Sequence, residues 1–357
     1  MPSTIPTSPS SATTESSSVS SASPEPLGSR RRGRSLVAVG GGTGLSALLR
    51  GLKTHVGGDR LSHLTGVVTV TDDGGSSGRL RREFGVLPPG DIRNCIVALA
   101  DDEALLARLF QYRFPNGEGL LGHSFGNLFL TALTGITGDF HQAILTAESI
   151  LSVRGKIFPA TLVDVRLRGR GVSGTIYEGE SAVGLSGEQL AAVELDPAAA
   201  PAFPPAVSAL ESADLVLLGP GSLYTSILPN LLIPGIRQAL RKTQAKVILL
   251  LNLMTQPGET DRMMGSDHLL ALQKHVGKSL IDAVLVNSQP IPRSLLEHYL
   301  ETGSEPVAVQ KESLEAAGVR VLEADLLAEG DFIRHDSVRL ASAVLDLMES
   351  PGDGAVG

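Results

Sequence analysis

Gly40, Gly41, Gly42 and Gly44, with Thr43 among them, follow directly on the apolar run 36–39. Glycines at this density strip the turn of Cβ atoms, so a bound group can approach the backbone N–H groups closely. Leu45, Leu48, Leu49 and Leu52 then recur at the spacing of one helix face. A strand, a bare turn and a helix start together suit phosphate, because unpaired N–H groups and the helix dipole point at the anion. A tight β–α turn without a ligand is the bland alternative. The spacing fits neither the Walker pattern, since no Gly-Lys-Ser/Thr follows, nor the dinucleotide fingerprint. A valine at Gly42 is expected to abolish ligand binding and to leave the fold intact.

Further candidates recur along the chain. Asp72 and Asp73 end a second apparent strand at 66–71. There a carboxylate can contact a ribose, or two can hold a magnesium ion beside a diphosphate, or both can be solvated acids of an Asp-Gly turn. Arg79, Arg81 and Arg82 read either as an exposed basic face or as anion contacts. Asp91, behind Pro88-Pro89-Gly90, reads as a helix cap with Arg93 and Asn94 in the first turn. Residues 122–126, Gly-His-Ser-Phe-Gly, fit the nucleophile-elbow pattern, with Asp331 and His335 downstream in hydrolase order. An elbow needs a buried strand before its serine, and residues 116–119 form a loop. His123, Ser124 and Asn127 are therefore read as opening a helix over 125–134 and presenting donors to an anion.

Three more strands carry polar ends. The run 214–218 leads into Gly219-Pro220-Gly221-Ser222, a second glycine turn; 246–251 leads into Asn252; 282–286 leads into Asn287. In open parallel sheets the carboxyl ends of the strands share one crevice, where ligands bind. Several such ends on one edge define a candidate site. Helices over 265–276, 294–302 and 336–349 supply covering layers, and crossovers of this kind imply a mainly parallel sheet. Alternation through 161–167, a turn at 169–171 and a second run at 172–177 predict a β-hairpin insertion. The fold class is thus α/β.

Composition narrows the function. Acidic residues outnumber basic ones, 38 to 30, in 357 residues, which argues against a nucleic-acid coat. The single cysteine, Cys95, excludes internal disulfides and a cysteine-built zinc site, and its apolar surroundings assign it to packing. No apolar run reaches membrane-span length. Residues 1–34, rich in Ser, Thr and Pro and ending in arginines, read as a disordered tail of a cytoplasmic protein. Residues 35–350 read as a single domain.

The motifs GGGTGLSALLRGLK from Gly40, TDDGGSSGRLR from Thr71, PPGDIRN from Pro88 and GHSFGNL from Gly122 stand in this order. GPGSLYTSILPNLL from Gly219, NLMTQPGET from Asn252 and RHD from Arg334 follow them. Together they resemble the YvcK-type gluconeogenesis factors, relatives of the 2-phospho-L-lactate transferase (CofD) family, over most of residues 36–340. The resemblance implies a Rossmann-like three-layer α/β/α fold and a ligand carrying a nucleotide diphosphate. In the gluconeogenesis-factor branch it implies a UDP-sugar-binding regulator of cell shape and cell-wall synthesis, with no required cofactor and no assigned catalytic residue. Cell-wall synthesis proteins and a second copy of the chain are the partners it suggests. The transferase branch implies instead movement of a phospho-acid group onto a deazaflavin hydroxyl, with Mg2+ held by Asp72 and Asp73. By the same analogy Tyr299 and Arg334 are candidate contacts for the nucleotide sugar.

Overall fold

The computed structural model describes residues 33–101 and 104–349; most of the tail read at 1–34 lies outside the described residues. Among the described residues ten strands form two sheets: β1 (Ser35–Gly40), β2 (His63–Val68), β3 (Lys156–Pro159), β4 (Arg166–Gly171), β5 (Ile176–Glu178), β6 (Leu190–Asp196), β7 (Leu215–Leu218), β8 (Lys246–Leu250), β9 (Ala283–Asn287) and β10 (Arg320–Ala324). Seven make one sheet in the order β10-β9-β8-β7-β1-β2-β3, and every neighbouring pair in it is parallel. β1 is central, with Leu36 paired to Leu64 on one side and to Leu215 on the other.

The strands read as unbroken apolar runs because both faces are covered. Val37, Val39, Val216, Leu218, Val247 and Leu249 pack into one core layer. Leu36, Ala38, Leu215, Leu217, Ile248 and Leu250 pack into the other. Helix α1 (Gly42–Leu52) buries Leu45, Leu48, Leu49 and Leu52 completely, as its spacing predicts. The C-terminal helix Ser337–Glu349 closes over it so tightly that a Cβ on Gly51 would lie 1.9 Å from the Ser337 carbonyl oxygen. Among the described residues, no helix is long and apolar enough to cross a membrane.

The chain runs β1, β2, β3 to one edge, then returns to the other side of β1 as β7 and continues outward to β10. The order therefore reverses between β1 and β7, and a crevice opens at such a switch point beyond the strands' carboxyl ends. The strand expected at 66–71 ends three residues earlier, because its partner β1 ends where Gly40 meets Val68. The predicted hairpin is instead a three-stranded antiparallel sheet, β5-β4-β6. Gly169, Arg170 and Gly171 lie inside β4 rather than in the turn, and β6 was not anticipated.

Candidate functional site

The two glycine turns stand side by side at the switch point. A Cβ on Gly44 would lie 2.5 Å from the Pro220 carbonyl oxygen, so the first turn of α1 rests directly on the second glycine turn. Buried Ser226 sits between them, its Cβ 3.5 Å from where a Gly41 Cβ would be and 3.2 Å from that of Gly221. Side-chain amides hold each turn in place. Asn230 Nδ2 donates to the Gly40 carbonyl at 3.0 Å and to that of Ser226 at 2.7 Å. Asn252 Nδ2 donates to the Gly221 carbonyl at 3.0 Å, and Gln256 Nε2 to Ser222 Oγ at 2.7 Å. Gly42 has φ +64°, a left-handed conformation that valine resists. The expectation that valine at Gly42 leaves the fold intact is therefore corrected: the substitution strains the backbone itself.

The first N–H groups of α1 have no intrahelical acceptor. The Gly42 N–H meets the Asp91 carboxylate. This aspartate stands in the first turn of helix α3 (Gly90–Leu99) and does not cap it; the cap position is Pro89, which makes no side-chain bond. The Asp91 carboxyl is pushed up to about 6 by burial, with Asp72 adding to the rise. A Cβ on Gly41 would lie 2.6 Å from Asp91 Oδ2, which explains the glycine there.

Asp72 and Asp73 turn toward different neighbours. Asp72 Oδ1 accepts from the Gly74 N–H at 2.9 Å, and its Oδ2 lies 2.7 Å from where a Gly90 Cβ would be, at the start of α3. Asp73 Oδ1 accepts from the Ser181 N–H at 2.9 Å, in a short helix (Glu180–Gly184) of the insertion. That helix carries Glu180, whose carboxyl is pushed up to about 8 by burial and then by Asp72, Asp91, Asp73 and Glu259. Glu259, buried, accepts from the N–H groups of Tyr224 at 2.7 Å and Thr225 at 3.2 Å, at the start of a π-helical turn (Leu223–Ile227). Burial pushes it up to about 7. Sequence reasoning gave no role to Glu180, Glu259, Asn230 or Ser226. Only the placement of Glu259 within NLMTQPGET and of Ser226 and Asn230 within GPGSLYTSILPNLL hinted at one. Among the described residues, no three His, Cys, Asp or Glu are placed to hold a metal ion.

Asn127 lies in the first turn of a helix (Phe125–Thr137) and reaches helix α2 (Gly75–Phe84). Its Nδ2 donates to Ser76 Oγ at 3.1 Å and to Ser77 Oγ at 3.4 Å; its buried Oδ1 has no partner among the described residues. Ser77 Oγ lies 2.5 Å from the Gly90 Cβ position, so the starts of α2, α3 and the Asn127 helix converge. His123 Nδ1 pairs with Ser76 Oγ at 2.9 Å. Ser124 Oγ accepts from the Asn127 N–H at 3.1 Å and from Arg93 Nη1 at 2.5 Å. It is buried and fully engaged as a cap, so the elbow pattern carries no hydrolase chemistry. Arg81 is likewise a strut: buried, it pairs with Asp164 at 2.5 Å and donates to the Val165 carbonyl.

Asn287, Tyr299 and Arg334 gather farther along the sheet edge. Asn287 Oδ1 accepts from the Leu326 N–H at 3.1 Å, and its Nδ2 donates to the Gln289 carbonyl at 2.6 Å, tying the ends of β9 and β10. Tyr299 Oη accepts from the Ile333 N–H at 3.1 Å while its ring packs against Leu253, Met254, Leu327 and Ile333. It thereby fixes the segment carrying Arg334, whose side chain is exposed. The loop after β8 touches both groups, through Asn252 at the glycine turn and Leu253–Met254 at the tyrosine.

A doubly wound parallel sheet with paired glycine turns at its switch point defines a class of α/β proteins with a cleft at the strand ends. The chain belongs to the 2-phospho-L-lactate transferase CofD family, whose model matches residues 36–327. It is 46% identical over 311 residues to the gluconeogenesis factor of Bacillus subtilis, covering 87% of this chain and 96% of the relative. To the gluconeogenesis factor of Halalkalibacterium halodurans it is 45% identical over 314 residues, covering 88% and 96%. A crystal structure of a UPF0052-family protein from Bacillus halodurans superposes with a TM-score of 0.83 at 44% identity, covering 87% of this chain and 99% of that one.

Proposed function

We propose that this chain is a cytoplasmic regulator that binds a UDP-sugar across the strand ends and signals to cell-wall synthesis, cell shape and growth on gluconeogenic carbon sources. The observation that carries the reading is the contact between turns 40–44 and 219–222, with Asn230 holding Gly40 and Asn252 holding Gly221. In this reading the diphosphate lies on the remaining amides of the two turns, since the Gly42 N–H meets Asp91 and the Gly219 N–H meets the Val39 carbonyl. Asp72 or Asp73 faces the ribose or a bridging cation, and Asn127, its Nδ2 held by Ser76 and Ser77, offers its Oδ1 as an acceptor. Asn287, Tyr299 and Arg334 frame the sugar end. Belonging to the CofD family and 45–46% identity to gluconeogenesis factors support this assignment.

One feature favours a second reading as a transferase. Asp91, pushed up to about 6 yet mostly ionised at pH 7, can take a proton from an attacking hydroxyl, whereas Glu180, pushed up to about 8, is mostly protonated there. Because Asp72 and Asp73 turn apart, only one of them would then hold Mg2+ together with the donor's phosphates, and the ion's chemistry would be to neutralise the diphosphate charge.

Thermal melting with UDP-N-acetylglucosamine, GDP and a deazaflavin separates the readings, because a ligand of the folded state raises the melting temperature. The regulator reading predicts a shift with the UDP-sugar and no turnover. Thr43 is exposed in the first turn of α1, so Thr43→Glu sets a carboxylate beside the phosphate cradle without disturbing the core. It is expected to weaken binding at least about tenfold by charge repulsion while leaving the unliganded melt unchanged. Unchanged UDP-sugar binding by this variant removes turn 40–44 from the site. Magnesium-dependent product from a deazaflavin establishes the transferase instead.

A further inference from the structure

Ser222 stands at the cap position of the π-helical turn Leu223–Ile227, which begins where the second glycine turn ends. A serine at a cap ordinarily accepts, through its hydroxyl, from the N–H groups two and three residues on. Here those groups belong to Tyr224 and Thr225, and a single oxygen of Glu259 accepts from both, at 2.7 and 3.2 Å. Among the described residues the Ser222 side chain makes no cap bond. A carboxylate from the loop after β8 has taken over the serine's usual work and released its hydroxyl. The same loop then binds that hydroxyl itself, Gln256 Nε2 donating to Ser222 Oγ at 2.7 Å. A tight turn brings the two loop residues together: the Gln256 carbonyl accepts from the N–H groups of Glu259 at 3.0 Å and Thr260 at 2.9 Å. The Gln256 N–H donates in turn to Thr260 Oγ1 at 2.9 Å, which fixes the turn.

A hydroxyl carries one proton and two lone pairs. With a lone pair of Ser222 Oγ taken by the Gln256 amide, its proton has no acceptor among the described residues and is available to a bound oxyanion. We propose that the Ser222 hydroxyl is a side-chain donor to the ligand's diphosphate, and that Gln256 is the positioning residue that orients it. The inference rests on the diphosphate reading above and adds to it a contact that main-chain amides do not supply. Glu259 keeps the hydroxyl out of the helical cap, and Gln256, donating through Nε2, turns the hydroxyl's proton away from itself. Ser222 is partly exposed, as a group that meets a ligand must be. A donor aimed at a charged oxygen makes a bond roughly twice as strong as one between neutral groups, so the direction of this one proton matters.

Calorimetric titration of the full chain with UDP-N-acetylglucosamine tests this through a double-mutant cycle on Ser222→Ala and Gln256→Met. Ser222→Ala removes the donor and is expected to raise the dissociation constant roughly tenfold or more, the loss of a hydrogen bond to a charged oxygen. Gln256→Met keeps the side chain's length without its donor and is expected to raise the constant roughly three- to tenfold. In the Ser222→Ala background the Gln256 change is expected to add nothing, because no hydroxyl remains to be turned. Both positions are partly exposed, so melting of the unliganded variants should stay at the wild-type value. A glutamine that merely braced the loop would cost the same in both backgrounds, and that result overturns the inference. Unchanged binding by Ser222→Ala overturns it too. A wild type that binds no UDP-N-acetylglucosamine overturns the diphosphate reading itself, and the inference with it.

Discussion

One buried carboxyl and two half-buried ones set the character of the site. Glu180, Glu259 and Asp91 all have folded-state values raised above their ordinary ones, chiefly by burial. A raised acid contributes stability that is complete below its unfolded value and is lost as pH rises through its folded value. For Glu180 that window runs from 4.5 to about 8. The melting temperature should therefore fall as pH rises across it. Glu180→Gln, which keeps the shape and removes the charge, should flatten the fall and raise melting above pH 8 by about 2–4 °C. An unaltered pH profile in that variant would show that Glu180 ionises freely in solvent. Cys95 belongs to the same scale but does the opposite job. Buried in the core, its thiol is pushed well above its ordinary value and serves packing alone.

Between elements, the decisive contact is that of α1 on the second glycine turn. Gly44→Val would drive a side chain into the Pro220 backbone, which cannot rotate away. The expected cost is about 1–3 kcal/mol, read by denaturant unfolding, together with lost ligand binding as the turns part. Unchanged stability would mean that the turns are not held in contact. The sequence announced both turns, because dense glycine after an apolar run has few other uses. It announced β1, β7, β8 and β9 as well, since strands buried on both faces must be continuously apolar. The edge strands β3 and β10 were harder to see. Lys156–Pro159 is short, and Arg320–Ala324 is only partly buried, so neither carries a long apolar run. Glu180 could not be found from sequence at all. It reaches the site through the three-stranded insertion, and its meeting with Asp72 depends on contacts more than a hundred residues apart.

For the molecule as a whole, one topological reversal arranges everything else. Because the chain turns back at β1, two strand ends with the same glycine chemistry become neighbours although nearly two hundred residues separate them. The insertion bridges the strand-end loops above them: Ser181 binds Asp73, and Ser186 Oγ donates to the Gly258 carbonyl at 2.7 Å. Tyr299 and Arg334 stand farther along the same sheet edge, where the proposed reading places the sugar end of the ligand. With a net charge of −8 and carboxyls along this edge, the proposed reading assigns a diphosphate to main-chain amides rather than to a basic patch.

A crystal structure of the chain with UDP-N-acetylglucosamine tests this most directly. The diphosphate should lie between turns 40–44 and 219–222, within hydrogen-bond distance of their N–H groups, with the sugar toward Tyr299 and Arg334. A diphosphate bound anywhere else, such as the groove beside Phe84, would contradict it.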